Sequence, residues 1–416
     1  MTQTRQRMLV IGGGIVGTCC ALSLQRAGHA VVMIDPAEPG DSTAKWSCGQ
    51  ISVGEIIPLS KPAIIQAAPG WLMDQTGPLA MRVGALPGIL PWFLRFASNA
   101  RKPRIHEISA ALASLTRHVF ADYAPLIEAA GDSRLIGQRP VLHLFGSAEA
   151  VAREHAYIAR RRELGFASEP VGAAEIAELE PALAGRFQHG LLLPQWRFVS
   201  DTEGFIQAMT RCFEAAGGQR VRGDVHQILE DGGRASGVRL SGGATFSADQ
   251  LVLAAGAGAR RFFRQLGLNV PLQGVAGYQA LLPDPGVDIR HSVIHAQGGF
   301  CFTPMSRGLQ IGGTIEFAGH DAEPNFKRAE IILAKAKALL PQLNTRGVEF
   351  GVGHRPLLPD TKPIIDRCRR LPNVLLAVGH GQLGLTLGAT TGRLITELAT
   401  HGGATQDISA FSAYRY

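Results

Sequence analysis

The sequence predicts an α/β protein, α+β overall, in which a Rossmann-like nucleotide domain is joined to a second domain built on a mixed sheet. Three observations predict it. A glycine-rich turn, Gly12-x-Gly14-x-x-Gly17, lies between an apolar strand and a helix, and a second strand ending in Asp35 follows it. A second glycine-rich junction, Gly379 to Thr386, again stands between an apolar strand and a helix near the end of the chain. Between the two, short strands with Gly and Pro turns run from Val275 to Thr314, as in an antiparallel sheet.

The first unit has a physical reason for each part. Met8 to Ile11 is a continuous apolar run, the pattern of a strand covered on both faces. Gly12 permits the tight turn, Gly14 lets backbone approach a pyrophosphate, and Gly17 lets the helix through Thr18 to Ala27 pack on the sheet. The anion then sits at a helix N-terminus, where unpaired N–H groups and the helix dipole favour it. Asp35 closes the strand Ala30 to Ile34 about 20 residues on, where a carboxylate accepts from ribose hydroxyls and repels a 2′-phosphate, so FAD or NAD is expected over NADP. Arg5, Arg7 and the apolar run to Leu24 imitate a secretory signal peptide, but the glycines and the Asp-terminated strand argue against cleavage.

Further along, the apolar segment Leu79 to Phe96 contains Arg82, Pro87, Pro91 and Arg95 and is no spanning helix. Its Leu-Pro-Trp-Phe-Leu-Arg-Phe end, with Arg101, Lys102 and Arg104 beyond, suits shallow contact with an anionic bilayer, or a helix packed on the surface. Helical spacing of Ile108, Leu112, Leu115, Val119, Tyr123 and Leu126 predicts a helix over Ile105 to Ala130, stopped by Gly131, and a second follows from Ala148 to Leu164. Both are expected in a separate lobe. Gly190 to Leu193 and Ala248 to Ala255 read as strands, and Thr202 to Ala216, Lys327 to Leu340 and Leu387 to Thr400 as helices. Strand Val374 to Val378 leads into the second glycine junction, so both ends of the chain are expected to hold one cofactor. The nucleotide domain is thus expected to be discontinuous, over 1–85, 186–262 and 349–416, with 86–185 and 263–348 forming the substrate domain.

The chain has 416 residues, 46% of them hydrophobic, enough for two domains with sizeable cores. The six cysteines show no C-x-x-C pair and no metal-ligand spacing, as expected of reduced thiols in the cytoplasm. A net charge of +7 without a long basic run gives no case for nucleic acid.

The N-terminal glycine motif, the Ala254-Ala-Gly256 strand end, Gly353-His-Arg-Pro356 with Pro359-Asp360, and Gly379-His-Gly-x-x-Gly-Leu-Thr386 together resemble the D-amino acid oxidase superfamily of flavoproteins, with its D-amino acid oxidase/glutathione reductase type of FAD-binding domain. Ala44 to Ser52, Gly277-Tyr278 and Gly312-Gly-Thr-Ile-Glu316 look most like bacterial D-amino acid dehydrogenases of the small-subunit type. The resemblance implies noncovalent FAD, because no Cys lies between Phe302 and Arg367, the region where related sarcosine oxidases attach flavin. It implies that Gly12, Gly14, Ile15, Val16, Gly17, Asp35 and Pro36 hold the ADP half, that Thr43 meets the pyrophosphate, and that the backbone at Val225 contacts adenine. Ala255, Gly256 and Gly353 join this set. Ser47, Cys48, Gly49, Gln50 and Ile51 would lie along the flavin. Gly381, Gln382, Leu383, Gly384, Leu385 and Thr386 would bring N–H groups to the pyrimidine end of the ring, where negative charge develops. The family's usual Asn-Ala before Gly-Gln/His is Ser47-Cys48 here, a departure that touches substrate choice.

The resemblance also implies oxidative deamination of a D-amino acid, with hydride passing from Cα to flavin N5 to give an imino and then a 2-oxo acid. Orientation through the substrate carboxylate is then the main task, and an arginine gives a planar two-point grip. Arg355 matches the family's carboxylate-binding arginine, with pairing to Asp360 or Asp366 as its structural alternative. Tyr278 is a second candidate for the carboxylate, and His354 and His380 stand nearby as candidate acid–base groups. Electrons would pass to a quinone or an electron-transfer protein, with peripheral contact at the cytoplasmic membrane face. D-Proline or cis-4-hydroxy-D-proline is an attractive substrate. An N-methyl amino acid or glycine oxidase using oxygen, and a flavin-binding subunit of a larger complex, are the alternatives.

Overall fold

A computed structural model describes residues 5–74, 76–82, 86–319 and 322–416, so the domain boundary expected at residue 85 lies outside the described residues. Six strands form one sheet in the order Ile364–Arg367, Val374–Val378, Gln250–Leu253, Arg7–Ile11, Ala30–Asp35, Gln219–Arg222. Its inner neighbours are parallel, and only the outer pair Ile364–Arg367 and Val374–Val378 is antiparallel. Period-two alternation sends Met8 and Val10 into one core and Leu9 and Ile11 into the other. The first core is covered by helices Ile15–Arg26, Thr202–Ala215 and Gly384–His401, the second by a three-stranded antiparallel sheet from Val225 to Ser247 and by Phe262 and Phe263. The segment resembling a signal peptide is therefore the centre of the domain core.

The second sheet has ten strands. Its order is Leu79–Met81, Ile315–Phe317, Gln273–Leu282, Gly308–Gly312, Phe300–Met305, Ser292–His295, Val141–Phe145, His189–Leu193, Glu169–Gly172, with Glu349–Leu357 also paired to Gln273–Leu282. It is mixed, because Ser292–His295 runs parallel to Val141–Phe145 and Ile315–Phe317 parallel to Leu79–Met81.

Sheet membership departs from the expected boundaries. His189–Leu193 and Glu349–Leu357, expected in the nucleotide domain, belong to the large sheet, as does Leu79–Met81. The expected long helix is two, Lys102–Thr116 and Val119–Ala130, and they do not form a separate lobe. Ile108, Leu112, Val119, Tyr123 and Leu126 are buried with Leu22, Leu387 and Leu394 in the nucleotide-domain core. Tyr123 fixes the arrangement by donating to the Leu385 carbonyl at 2.5 Å.

In helix Leu86–Ser98, Trp92 and Phe96 stack on each other and pack with Phe317, so these rings are not the bilayer contacts their sequence suggested. Its exposed large hydrophobic residues, among those described, are instead Leu90 and Leu94. No described helix is long and apolar enough to cross a membrane.

Candidate active site

The nucleotide end of the site is shaped by missing side chains. Gly12 has φ +110°, and a Cβ there would lie 2.5 Å from the Ala254 carbonyl oxygen. A Cβ on Gly17 would collide with the Gly12 carbonyl, so these two glycines serve turn and packing. Gly14 differs: a Cβ there would meet only Ser42, at 3.9 Å, because the position faces an open cavity. Gly14 is also the N-cap of helix Ile15–Arg26 and supplies no capping side chain, so N–H groups of the first turn are free for an anion. Asp35 is held in place by its own backbone bonds, with Oδ2 accepting from Gly13 N at 2.6 Å and Oδ1 from Ala37 N at 2.8 Å.

A second cradle comes from the C-terminal junction. Gly379 and Gly381 have φ of +78° and +55°, and Gly381 N donates to the Pro356 carbonyl at 2.9 Å. This turn delivers Gln382 to Leu385 to the cavity wall at the uncapped start of helix Gly384–His401. His380 is buried with Nε2 2.9 Å from Thr391 Oγ1, and burial lowers its pKa to about 3. It is therefore neutral at pH 7 and serves no charged role.

Between the cradles lies the segment after the single turn Thr43–Trp46. Thr43 Oγ1 donates to the His354 carbonyl at 3.2 Å, and a Cβ on Gly353 would come within 2.9 Å of the Thr43 carbonyl. Gln310 Nε2 donates to the Ser47 carbonyl at 2.7 Å, and Gln50 Nε2 to Ser292 Oγ at 2.8 Å, tying this segment to the large sheet. The Cys48 and Cys301 sulfurs are 2.6 Å apart.

Arg355 enters the same space from strand Glu349–Leu357. Its guanidinium lies over Gly277, where a Cβ would be 2.5 Å from Nη2 and closer still to Nη1. Nη1 donates to the Thr314 carbonyl at 3.1 Å. Arg355 is half-buried and lines the cavity, and desolvation pulls its pKa down, opposed by Cys48 and Cys301; a guanidinium nonetheless stays charged. It makes no ion pair among the described residues. Asp360 pairs instead with Arg415 at 2.7 Å, and Asp366 accepts from Ser412 Oγ and Ala413 N at 2.8 Å, so the structural alternative for Arg355 is not realised.

Tyr278 is a correction. Because neighbours on a strand point to opposite faces, a Gly277 that faces Arg355 turns Tyr278 away. Its ring is buried, its hydroxyl donates to Glu316 Oε2 at 2.5 Å and accepts from Asn325 N at 2.8 Å, and it is absent from the cavity wall.

The cavity measures about 1360 Å³, beyond the ~300–1,000 Å³ usual for a single small ligand, and so has room for a dinucleotide and a small substrate. Its wall includes Gly12, Gly14, Ile15, Val16, Asp35, Thr43, Ser47, Cys48, Gln50, Ala255, Gly256, Gly353, His354, Arg355 and Gly381 to Leu385. Six expected cofactor residues are not part of that wall. Gly17 and Gly49 pack against backbone carbonyls, Ile51 and Val225 are buried in the two cores, the Pro36 carbonyl accepts from Arg222, and Thr386 Oγ1 accepts from Ser52 N at 3.0 Å. Sequence reasoning missed Cys301, Thr314 and the polar group Lys61, Glu154 and Tyr157, in which Lys61 Nζ is 2.9 Å from Glu154. Of the openings in this region, the one at Gly277 beneath Arg355 was signalled, by its glycine.

Residues 7–398 match the family of FAD dependent oxidoreductases. The chain belongs to that family. It is 30% identical to a D-amino-acid oxidase of Bradyrhizobium diazoefficiens, over 99% of both chains. It is 29% identical to a D-amino acid dehydrogenase of the same organism, again over 99% of both. Among solved structures, glycine oxidase from Geobacillus kaustophilus superposes with a TM-score of 0.75 at 20% identity, covering 100% of both chains, a likeness of fold. The flavoprotein's own residues fit FAD: an uncapped helix start beside Gly14, a fixed ribose-side carboxylate at Asp35, and a second helix start at Gly384 are in one cavity. No cysteine is available in 302–367 for covalent attachment.

Proposed function

We propose that this FAD-dependent oxidoreductase oxidises the Cα–N bond of a D-amino acid, releasing an imino acid that hydrolyses to a 2-oxo acid. The observation that carries the reading is Arg355, a guanidinium with no carboxylate partner among the described residues, aimed into the cofactor cavity over Gly277. Bound FAD supplies the two-electron acceptor for hydride leaving Cα. The protein's task is orientation. Arg355 offers two parallel N–H donors to a substrate carboxylate, and the Thr314 carbonyl fixes the rotation of its guanidinium. The amine must be neutral when hydride leaves, and solution can take its proton; neutral His380 is not needed for this.

The relatives named D-amino acid dehydrogenase and D-amino-acid oxidase support a D-amino acid substrate, and they differ over the acceptor. We favour a quinone or electron-transfer protein, with oxygen as the alternative. Trp46, packed against Gly351, and Cys48, packed against Gln279 and Cys301, narrow the site beside Arg355, which supports compact substrates such as D-proline or cis-4-hydroxy-D-proline. The reading includes a cytoplasmic location, with exposed Leu90 and Leu94 near Arg101 and Lys102 as the surface for peripheral membrane contact. A subunit without chemistry of its own has no use for an arginine that faces the cavity with no carboxylate partner among the described residues.

The test is an anaerobic absorbance titration of the yellow protein with matched D- and L-amino acids, followed by a dye or air. Bleaching by a D-isomer that a dye reverses quickly and air slowly is the expected result. Rapid reversal in air makes the protein an oxidase, and bleaching by L-isomers alone overturns the stereochemical assignment.

A further inference from the structure

Cys48 and Cys301 are 253 positions apart in sequence, yet their sulfurs meet at 2.6 Å in the cavity wall. Cys48 follows the turn Thr43–Trp46, and Cys301 belongs to strand Phe300–Met305 of the large sheet. The other four cysteines are placed differently. Cys19, Cys20 and Cys368 are fully buried in apolar clusters, and Cys212 donates to the Ala129 carbonyl.

The surroundings of the pair are polar and asymmetric. Gln279 is fully buried with Oε1 3.7 Å from Cys48 Sγ, and its Nε2 has no hydrogen-bond partner among the described residues. Turned end for end, that amide would donate to the Cys48 sulfur. Cys301 donates to Cys48 and lies 3.3 Å from the Gly312 carbonyl, and Arg355 is the charged neighbour of both. The Cys301 hydrogen bond and then the guanidinium, against burial, draw the Cys48 thiol below its ordinary pKa, while the same contact and burial push Cys301 up. Cys48, which accepts the hydrogen bond from Cys301, is thus the attacking sulfur and Cys301 the resolving one.

The geometry points to a reversible dithiol–disulfide switch between Cys48 and Cys301, set by hydrogen peroxide and acting on the carboxylate site at Arg355. The Cys48 thiolate attacks one peroxide oxygen, the O–O bond breaks, and a sulfenic acid and hydroxide result; the hydroxide takes a proton and leaves as water. The Cys301 sulfur then attacks the Cys48 sulfur, the S–O bond breaks, and the second oxygen departs as water with the Cys301 proton. Two thiols lose two electrons and one peroxide becomes two waters. In the dithiol state the Cys48 sulfur, when ionised, is a built-in anion that competes with substrate for Arg355. The disulfide removes that anion, so the oxidised enzyme binds the carboxylate more tightly. This second half rests on Arg355 as the substrate grip; the cross-link itself does not.

The flavin-loaded enzyme, pre-reduced and freed of reductant, is titrated with hydrogen peroxide, its free thiols are blocked, and unreduced peptides are mapped by mass spectrometry. The expected result is loss of two of the six thiols, one Cys48–Cys301 peptide pair that dithiothreitol separates, and unchanged flavin content. The KM for the amino acid that bleaches the flavin should fall by about three- to tenfold on oxidation, the size of a partly compensated ion pair. Cys301→Ser should stop at a Cys48 sulfenic acid that dimedone traps, and Cys48→Ser should show no response of KM to peroxide. Thiols that stay free, or that overoxidise without the cross-link, overturn the switch. A cross-link with unchanged KM overturns its action on Arg355. An Arg355→Ala enzyme that still cross-links but binds substrate normally would refute the carboxylate grip and leave the thiol pair standing.

Discussion

Replacing Gly277 by alanine is the smallest change that separates substrate binding from cofactor binding. The new methyl would lie 2.5 Å from Arg355 Nη2 and closer to Nη1, against the ~3.5 Å of a relaxed contact, so the guanidinium must move by about 1 Å or more. Backbone strain is not expected, since Gly277 is paired within a regular antiparallel register with Gly353. A displaced guanidinium loses its aligned bond to the Thr314 carbonyl and its two-point fit to a carboxylate. Charge-assisted hydrogen bonds contribute roughly 1.5–3 kcal/mol, which corresponds to about a 10- to 150-fold loss in kcat/KM, expressed mainly as a raised KM. Flavin content and thermal stability should stay near wild type, because the nucleotide cradle lies on other elements. The assay is steady-state turnover with saturating acceptor, alongside the flavin-to-protein absorbance ratio. A KM within twofold of wild type in fully flavinated protein would show that Arg355 does not hold the substrate.

Three other outcomes follow from the geometry. Gly14→Val should yield folded protein without flavin, since its side chain enters the cavity and not the core; a normal flavin spectrum would refute the cradle. Arg355→Ala should keep flavin and lose about 2–5 kcal/mol of carboxylate binding, read as kcat/KM, with little change for an amine lacking the carboxylate. Asp360→Ala should destabilise the fold by about 3–5 kcal/mol, read by denaturant unfolding, because it leaves the Arg415 guanidinium buried without its partner. Burial raises the Asp360 carboxyl, but Arg415 and Tyr416 more than offset this and hold it below its ordinary value. Its contribution is therefore complete above the unfolded pKa and is lost as pH falls through the lower folded one; the variant should lack this acid-side decline.

Local chemistry was legible where one residue type has one physical use. Gly12, Gly14, Gly17 and Asp35 marked the nucleotide turn, and Gly379 and Gly381 the second junction, because close backbone approach and positive φ leave few alternatives. Long-range placement was not. His189–Leu193 and Glu349–Leu357 look like any buried strands, and only their pairing partners put them in the large sheet. The apolar stripe from Ile105 to Leu126 continued through the break at Arg117 and His118, since both helices bury the same face in one core. The misplacement of Tyr278 was avoidable. Adjacent residues on a strand cannot both face the substrate, and the glycine was the informative member of the pair.

Strand Glu349–Leu357 brings Gly353, against the Thr43 backbone, and Arg355, over Gly277, into the cavity two positions apart. On the proposed reading, the cofactor's boundary and the substrate's anchor are thereby parts of one strand. Any movement of this strand would carry both residues together and keep their mutual spacing. Lys61, Glu154 and Tyr157, which line the same cavity from other elements, stand outside that constraint.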